Sequence, residues 1–174
     1  SSLATGVSKA KNLLMSEDVL ASIQAIRKLG IKAEVKNNVC KIYGKGITGY
    51  KYRKNLIINS QNSGTLGRLI TGILIDTPFP IKIIGDKSLS KRDFKRITKP
   101  LGKFGASFQL KNNYNLPLTI KGSKKLRPIK FFENKGSAQC KSSVILGGIK
   151  VDGKTVIKAK KSRNHTELLF KYLK

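Results

Sequence analysis

Two hydrophobic periods alternate along this chain and divide it into predicted helices and strands. After Ser16, apolar residues recur at helical spacing as far as Leu29, which predicts a helix with Ser16 as its N-cap. The following residues alternate between apolar and polar, turn at Lys36-Asn37-Asn38 and alternate again up to Tyr43, a pattern typical of a β-hairpin. Upstream, Ser1 to Gly6 is interpreted as the end of a helix that Gly6 terminates.

The same helix and hairpin recur 75 positions later. Phe94 to Phe104 repeats the helix, and Lys111-Asn112-Asn113 repeats the turn, with no slip between the two. Before this copy, a strand-like run from Asn55 to Ile58 leads into another helix that opens at Asn62-Ser63-Gly64-Thr65. A fixed offset across a helix and a hairpin indicates an internal repeat.

A third copy begins at Gly136-Ser137-Ala138-Gln139 and continues into a helix around Val144 to Ile149, a strand at Thr155-Val156-Ile157, and a last helix that opens at Ser162 and runs to Lys174. The predicted fold class is α/β (α+β), one domain of repeated βαβαββ units around central helices, incomplete at both ends. We therefore expect this chain to be a fragment. Its predicted parts are a partial repeat at 1–60, a complete repeat at 61–122 and a partial repeat at 123–174.

If the repeats pack around a common centre, the helix N-termini gather on one face. The first-turn N–H groups of a helix have no partner inside it, and its dipole is positive there, so such a face favours anionic groups. Arg68, one turn into its helix, can add a charge-assisted hydrogen bond. The four predicted starts lie at 62–65, 90–92, 136–139 and 162–163.

The composition agrees with an anionic ligand without saying which one. The net charge is +27, from 29 lysines, seven arginines and nine acidic residues. Such a charge is typical of nucleic-acid-binding proteins, and a basic nucleic-acid-binding module is kept as an alternative. The lysines are scattered, however, and only 7% of residues are aromatic, which does not favour a base-stacking surface.

The cysteines and the single histidine are not expected to be catalytic. Cys40 and Cys140 are far apart and are interpreted as reduced thiols, with no metal site expected. His165, the only histidine, lies at a predicted helix start and is interpreted as structural. No apolar run is long enough to cross a membrane and no signal peptide begins at Ser1, so a cytoplasmic protein is expected.

Five motifs, taken in order and spacing, resemble the N-terminal domain of the 5-enolpyruvylshikimate-3-phosphate synthase family, also named 3-phosphoshikimate 1-carboxyvinyltransferase. The resemblance covers essentially the whole chain. The motifs are Leu13-Leu14-Met15-Ser16-Glu17-Asp18, Asn62-Ser63-Gly64-Thr65 with Arg68-Leu69, Gly85-Asp86-Lys87-Ser88-Leu89-Ser90-Lys91-Arg92, Gly136-Ser137-Ala138-Gln139 with Lys141-Ser142, and Ser162-Arg163-Asn164-His165-Thr166-Glu167.

The resemblance implies transfer of the enolpyruvyl group of phosphoenolpyruvate to the 5-hydroxyl of shikimate 3-phosphate, with release of phosphate and without metal or cofactor. It also implies a second, C-terminal domain that supplies the proton-transfer groups. We therefore expect a monomeric enzyme of aromatic amino acid biosynthesis that binds neither nucleic acid nor membrane, and a 174-residue chain that is inactive alone. The sister family acting on UDP-N-acetylglucosamine shares the fold, and its motifs fit less well.

The resemblance also assigns binding residues, with no complete catalytic set in this chain. Two departures stand out: Asp93 follows Arg92, where it is expected to cap the next helix, and Gly67 stands where the family has a larger residue, so it can widen the pocket. The implied phosphoenolpyruvate ligands are Asn62, Gly64, Thr65, Arg92 and Gln139, and the implied shikimate 3-phosphate ligands are Ser137, Ala138, Gln139, Ser162 and Arg163.

Overall fold

Nine strands, five α-helices and one short 3-10 helix (Leu89–Lys91) make up the part of the chain that this computed structural model describes, residues 1–172. The predicted continuation of the last helix to Lys174 lies outside those residues. In chain order the elements are β1 (Thr5–Ala10), α1 (Glu17–Lys28), β2 (Lys32–Lys36), β3 (Val39–Lys45), β4 (Ile57–Asn59), α2 (Gly64–Ile73), β5 (Ile81–Ile84), α3 (Lys95–Phe104), β6 (Ser107–Lys111), β7 (Asn115–Lys121), β8 (Lys130–Glu133), α4 (Ala138–Gly148), β9 (Val156–Ala159) and α5 (His165–Tyr172).

The sheet that begins with β4 contains the whole repeating unit. Its strand order is β4-β5-β7-β6, with β4 and β5 parallel and the other neighbours antiparallel. The sheet β1-β3-β2 reproduces its last three positions, and the parallel pair β8-β9 reproduces its first two. The predicted fold class is confirmed. Because β4 pairs with β5, it belongs with the unit assigned to 61–122, and the residue bounds of the three units stay a prediction.

The two hairpins turn at the same asparagine pair. Asn37 and Asn38 have φ of 49° and 56°, and Asn112 and Asn113 have φ of 51° and 65°. Asparagine tolerates this left-handed region, and a two-residue turn with both φ positive matches the twist of the flanking strands. The repeat that was found as a sequence offset is therefore also a repeat of backbone conformation.

Helices α2 and α4 pack against each other at the centre of the molecule. A Cβ added to Gly72 of α2 would overlap the Ser143 carbonyl oxygen of α4, so only glycine permits this approach. The Ser143 hydroxyl donates to the Arg68 carbonyl oxygen over 2.8 Å. This close packing sets the N-termini of the two helices side by side.

The expected helix end at Ser1 to Gly6 is wrong, because β1 begins at Thr5 and pairs antiparallel with β3. Its pairing depends on Gly44 of β3, where a side chain would meet the Ala4 and Ser1 carbonyl oxygens. A strand at a sheet edge is defined by a partner some 35 residues away, and the six-residue pattern did not reveal that partner.

Candidate functional site

The N-termini of α2 and α4 are built in the same way. Ser63 precedes α2 and its hydroxyl accepts the Leu66 N–H over 3.1 Å. Ser137 precedes α4 and accepts the Cys140 N–H over 3.3 Å. Each serine satisfies one first-turn donor, and other first-turn N–H groups stay directed at the space in front of the helix. The two helices therefore present two positive dipole ends together.

Gln139 joins the two helix tips. Its side-chain N–H donates to the Thr65 hydroxyl over 2.8 Å, and its carbonyl oxygen accepts from Arg68 Nη1 over 2.7 Å. Three polar side chains from α2 and α4 thus form one continuous hydrogen-bonded chain. The sequence-predicted residues Thr65 and Gln139 are brought into direct contact, and Arg68 is added to them.

Arg92 reaches the same place from the loop that precedes α3. If Gly64 carried a Cβ, that atom would lie 3.0 Å from Arg92 Nη1 and 2.8 Å from Arg68 Nη1, so both guanidinium groups lie against this glycine. Burial lowers the pKa of Arg68, and the nearby Arg92 charge acts in the same direction. Within residues 1–172, neither guanidinium forms an ion pair with a carboxylate. This pair of cations is available for an anion.

The two departures near Arg92 now have a structural explanation. Phe94, and not Asp93 as expected, is the N-cap residue of α3; the Asp93 carboxylate lies one residue earlier and accepts the Lys95 N–H over 2.7 Å. Gly67 does not widen the pocket, because the Phe94 ring occupies the space where its Cβ would lie, at 3.2 Å. Phe94 in turn supports the Arg68 guanidinium, whose carbon lies 5.2 Å from the ring centroid.

A depression of about 390 Å³ lies in front of α4. Ser162 lines it, and its Oγ is buried with no hydrogen-bond partner among the described residues, an unusual state for a buried hydroxyl. The wall is formed by Gly136, Ser137, Ala138, Gln139, Ser162 and Arg163, which include all five implied shikimate 3-phosphate residues.

A smaller depression of about 170 Å³ adjoins the first and shares Ala138, Gln139 and Arg163 with it. Thr65 and Leu69 of α2 form its opposite wall, so it connects the α2 tip to the α4 tip. Helix α5 is held beside it by the Lys141–Glu167 ion pair, 2.6 Å, and by a 2.7 Å hydrogen bond between the Ser142 and Thr166 hydroxyls. The two depressions form one continuous candidate site.

The comparisons with known proteins agree on one family. The family model for EPSP synthase (3-phosphoshikimate 1-carboxyvinyltransferase) matches residues 1–174. This chain belongs to the EPSP synthase family.

The similarity extends to both sequence and structure. The chain is 43% identical over 173 residues to the 3-phosphoshikimate 1-carboxyvinyltransferase of Caldicellulosiruptor bescii and 42% identical over 172 residues to that of Streptococcus mutans; each match covers 98% of this chain and 40% of the relative. The structure of EPSP synthase from Acinetobacter baumannii superposes with a TM-score of 0.91 at 35% identity, covering 98% of this chain and 39% of that one. The chain thus spans about 40% of the length of the curated relatives it matches.

Asn62 lies just before the α2 tip, exposed, with its side-chain N–H donating to the Asp86 carboxylate over 2.6 Å. Asp86 also accepts the Leu89 N–H over 2.7 Å. These hydrogen bonds, the backbone one first and the Asn62 one second, lower the pKa of Asp86. Asn62 is therefore oriented by Asp86, and its contact with a ligand stays a prediction, as do those of the other implied binding residues.

Sequence analysis did not identify two acidic residues of the site. Asp86 belongs to the motif Gly85–Arg92, but no role was predicted for it. Glu133, four residues before Ser137, was not predicted to take part in the site. Glu133 is 4% exposed and accepts the Ser137 N–H over 2.7 Å. The only available signal was an acidic residue directly after the apolar strand residues Phe131 and Phe132.

A larger depression, about 430 Å³, lies elsewhere, between α3 and β8. Its rim is mainly basic, with Lys95, Lys99, Lys103 and Lys130, and it contains none of the implied binding residues. The smaller depressions are the better candidates, because two helix N-termini and an unpartnered hydroxyl line them and Gln139 in their wall is bonded to Arg68. On a chain of net charge +27, lysines around a groove say little about its ligand, and they define no geometry by themselves.

Other site classes have little support in the described residues. Residues 1–172 contain no group of three or more His, Cys, Asp or Glu side chains that could hold a metal ion. Cys40 and Cys140 are both buried and free. In the same part of the chain, each helix is too short or too polar to cross a bilayer.

Proposed function

We propose that this chain forms one wall of the active site of an enzyme that transfers the enolpyruvyl group of phosphoenolpyruvate to the 5-hydroxyl of shikimate 3-phosphate. The products are 5-enolpyruvylshikimate 3-phosphate and phosphate, in the pathway to chorismate and the aromatic amino acids. Family membership and the names of the relatives support this activity. The part of the relatives that this chain does not cover is expected to form the second wall of the active site and to be the partner of this chain.

The observation that carries the proposal is the continuous chain Thr65–Gln139–Arg68, with Arg92 beside it at Gly64. Both substrates are multiply anionic, and a guanidinium offers two parallel donors to a phosphate or carboxylate. On this proposal phosphoenolpyruvate lies at the α2 tip, against Arg92 and the first-turn N–H groups of Gly64 and Thr65, with Asn62 at its edge.

Shikimate 3-phosphate is assigned to the depression in front of α4. The unpartnered Ser162 hydroxyl is suited to donate to its phosphate, with Arg163 at the rim and the backbone of Ser137 and Ala138 alongside. Gln139 lies between the two substrates. The arrangement holds the two reacting molecules at adjacent helix tips, and such positioning contributes a large part of the rate of a two-substrate reaction.

The chain contributes binding and positioning, and proton transfer is left to the remainder of the enzyme. Each carboxylate of the described residues near the site has at least one partner: Asp86 bonds Asn62, Asp93 the Lys95 N–H, Glu133 the Ser137 N–H, and Glu167 Lys141 through Oε1. A general acid or base must reach the proton it moves, and it contributes on the order of 10²–10⁴ in rate. We expect the 174-residue chain to bind shikimate 3-phosphate and to release no phosphate from the substrate pair.

A titration separates this proposal from its rivals. The chain is titrated with shikimate 3-phosphate, UDP-N-acetylglucosamine and a mixed-sequence oligonucleotide, each at 50 and 200 mM salt. The proposal requires saturable binding of shikimate 3-phosphate. Preference for the UDP-sugar would favour the sister activity. Oligonucleotide affinity that falls steeply between the two salt concentrations, without shikimate 3-phosphate binding, would favour a nucleic-acid-binding module.

Two matched variants test the site. Ser162→Ala and Gln139→Ala should each weaken shikimate 3-phosphate binding about tenfold, a loss typical of a charge-assisted hydrogen bond. Ser22→Ala serves as the control, because the Ser22 hydroxyl bonds only within its own helix, to the Asp18 carbonyl oxygen at 2.8 Å. Equal effects of Ser162→Ala and Ser22→Ala would refute the assignment of this depression.

The expectations about assembly remain proposals of the same kind. We propose a monomer located in the cytoplasm, with the repeat bounds 1–60, 61–122 and 123–174 given above. Sedimentation of the chain at several concentrations tests the first of these. A mass that rises with concentration towards twice the 19.2 kDa of the chain would contradict it.

A further inference from the structure

Glu133 is a buried carboxylate outside the set of implied ligands. It is the last residue of β8 and is 4% exposed. Its Oε2 accepts the Ser137 N–H over 2.7 Å, and its Oε1 accepts the Lys135 N–H over 3.2 Å. Arg96 Nη2 lies 3.6 Å from Oε1 and is the one counter-ion that Glu133 has among residues 1–172. Both carboxylate oxygens are therefore used to fix one short loop.

The backbone of the same residue fixes a second loop. Strands β8 and β9 are parallel, and Glu133 pairs with Ala159. The Glu133 carbonyl oxygen accepts the Lys160 N–H over 2.9 Å, directly after β9 ends. The loop after β8 leads to Ser137, and the loop after β9 leads to Ser162. Glu133 thus connects both segments that form the depression in front of α4.

A carboxylate at this place is electrostatically unfavourable for an anion site, because a buried negative charge repels a phosphate bound nearby. The cost is limited by Arg96 and by the two backbone N–H donors. A glutamine would avoid the repulsion, but the two N–H groups donate to different carboxylate oxygens, so its NH2 group, which cannot accept, would face one of the two donors. The carboxylate therefore fixes the loop more fully than a neutral side chain would, at the cost of some repulsion of a phosphate bound nearby.

We propose that Glu133 is a positioning residue for shikimate 3-phosphate. It acts through Ser137 and the loop that leads to Ser162, and it does not touch the substrate. This inference rests on the proposed function, because it assumes that shikimate 3-phosphate occupies the depression in front of α4. The α2 tip has its own cap, Ser63, and its own support, Phe94, so Glu133 can affect the phosphoenolpyruvate side only through Gln139.

The test uses Glu133→Gln, Arg96→Gln and the control Glu34→Gln. Glu34 is an exposed strand residue that pairs with Lys32 over 2.8 Å, so its substitution makes the same chemical change away from the site. Each 174-residue variant is titrated with shikimate 3-phosphate and, separately, with phosphoenolpyruvate, well below its unfolding temperature. The Ser137 amide proton is followed by NMR in the same samples.

Glu133→Gln should weaken shikimate 3-phosphate binding about tenfold or more and change phosphoenolpyruvate binding less than about threefold. The Ser137 amide proton should shift upfield, because its charged acceptor is lost. Arg96→Gln, which keeps the carboxylate and its two backbone N–H donors, should show a smaller loss of the same ligand. Glu34→Gln should change neither affinity.

The outcomes are distinguishable from a failure of the proposed function. If the unsubstituted chain does not bind shikimate 3-phosphate, both the function and this inference are overturned. If it binds and Glu133→Gln binds equally well, only the role of Glu133 is overturned. A parallel loss of both ligands in Glu133→Gln would indicate general loosening of the domain, and that result also contradicts a role specific to shikimate 3-phosphate.

Discussion

The Gln139 side chain donates a hydrogen bond to the Thr65 hydroxyl over 2.8 Å, although the two residues are 74 positions apart. They lie in the first turns of α2 and α4, each two residues after the serine that caps its helix. The bond therefore fixes the distance between two helix N-termini that are each suited to an anion. A change at either residue should affect both halves of the proposed site.

Gln139→Glu should weaken binding of shikimate 3-phosphate about tenfold or more. The new carboxylate would pair with the Arg68 guanidinium, which now contacts Gln139 over 2.7 Å, and would repel the incoming anion. Gln109→Glu makes the same change on an exposed position of β6 and should alter binding less than about twofold. Isothermal titration of both variants provides the measurement, and similar affinities for the two would contradict the placement of the ligand.

Gly64→Ala should reduce phosphoenolpyruvate affinity with little change in stability. The added methyl group would lie 2.8 Å from Arg68 Nη1 and 3.0 Å from Arg92 Nη1, and both guanidinium groups can move away because they end flexible side chains. Their displacement removes the paired cations from the α2 tip.

Gly102→Ala is the control for this substitution. Nothing lies within 4 Å of a Cβ at that helical position, so alanine should stabilise the protein by about 0.5–1 kcal/mol and leave binding unchanged. Thermal unfolding and ligand titration of both variants separate the two effects. Strong destabilisation by Gly64→Ala would show that the site cannot relax as described.

Lys150→Met should destabilise the fold without a direct effect on the site. Its side chain is 1% exposed, and its Nζ lies 2.6 Å from Asp76 Oδ2. The Tyr52 hydroxyl donates to the other Asp76 oxygen over 2.9 Å, and burial, followed by the Asp76 charge, raises the pKa of Tyr52. Removal of the lysine leaves a part-buried carboxylate without its cation, which should cost about 2–4 kcal/mol.

The measurement for Lys150 is urea unfolding, with Lys99→Met as the control. Lys99 is an exposed residue of α3, and its substitution should change the free energy of unfolding by less than about 0.5 kcal/mol. If the two variants unfold at the same urea concentration, the Lys150–Asp76 pair contributes nothing to stability.

The Asp86 hydrogen bonds should add an acid-dependent contribution to stability. Its pKa is lowered in the folded state, chiefly by the Leu89 N–H and then by Asn62, so the folded protein favours the charged form. The contribution is complete above the usual pKa of an aspartate and is lost as the pH falls through the lower, folded value. Asp86→Asn should therefore be less stable than the parent at neutral pH and equally stable in stronger acid. Unfolding curves from pH 7 to pH 2 test this, and a difference that persists at pH 2 would contradict it.

Local chemistry made several elements predictable from sequence. The caps Ser16 and Ser63 and the Asn-Asn turns were all anticipated, because each depends on residues only a few positions apart. The repeat was visible for the same reason, since each copy carries its own local signals. The start of the first strand was misplaced, because β1 is defined by its pairing with β3.

The amino-acid sequence by itself determined the repeated unit, the positions of its helix caps and turns, and, through its motifs, the family. Tertiary packing decided which polar groups meet. Gly72 allows α2 and α4 to touch, so that Gln139 reaches Thr65 and Arg68, and the parallel pairing of β8 with β9 lets Glu133 hold two loops of the site. The physical reason is range: caps and turns depend on neighbours along the chain, whereas a binding surface depends on backbones brought together from distant positions.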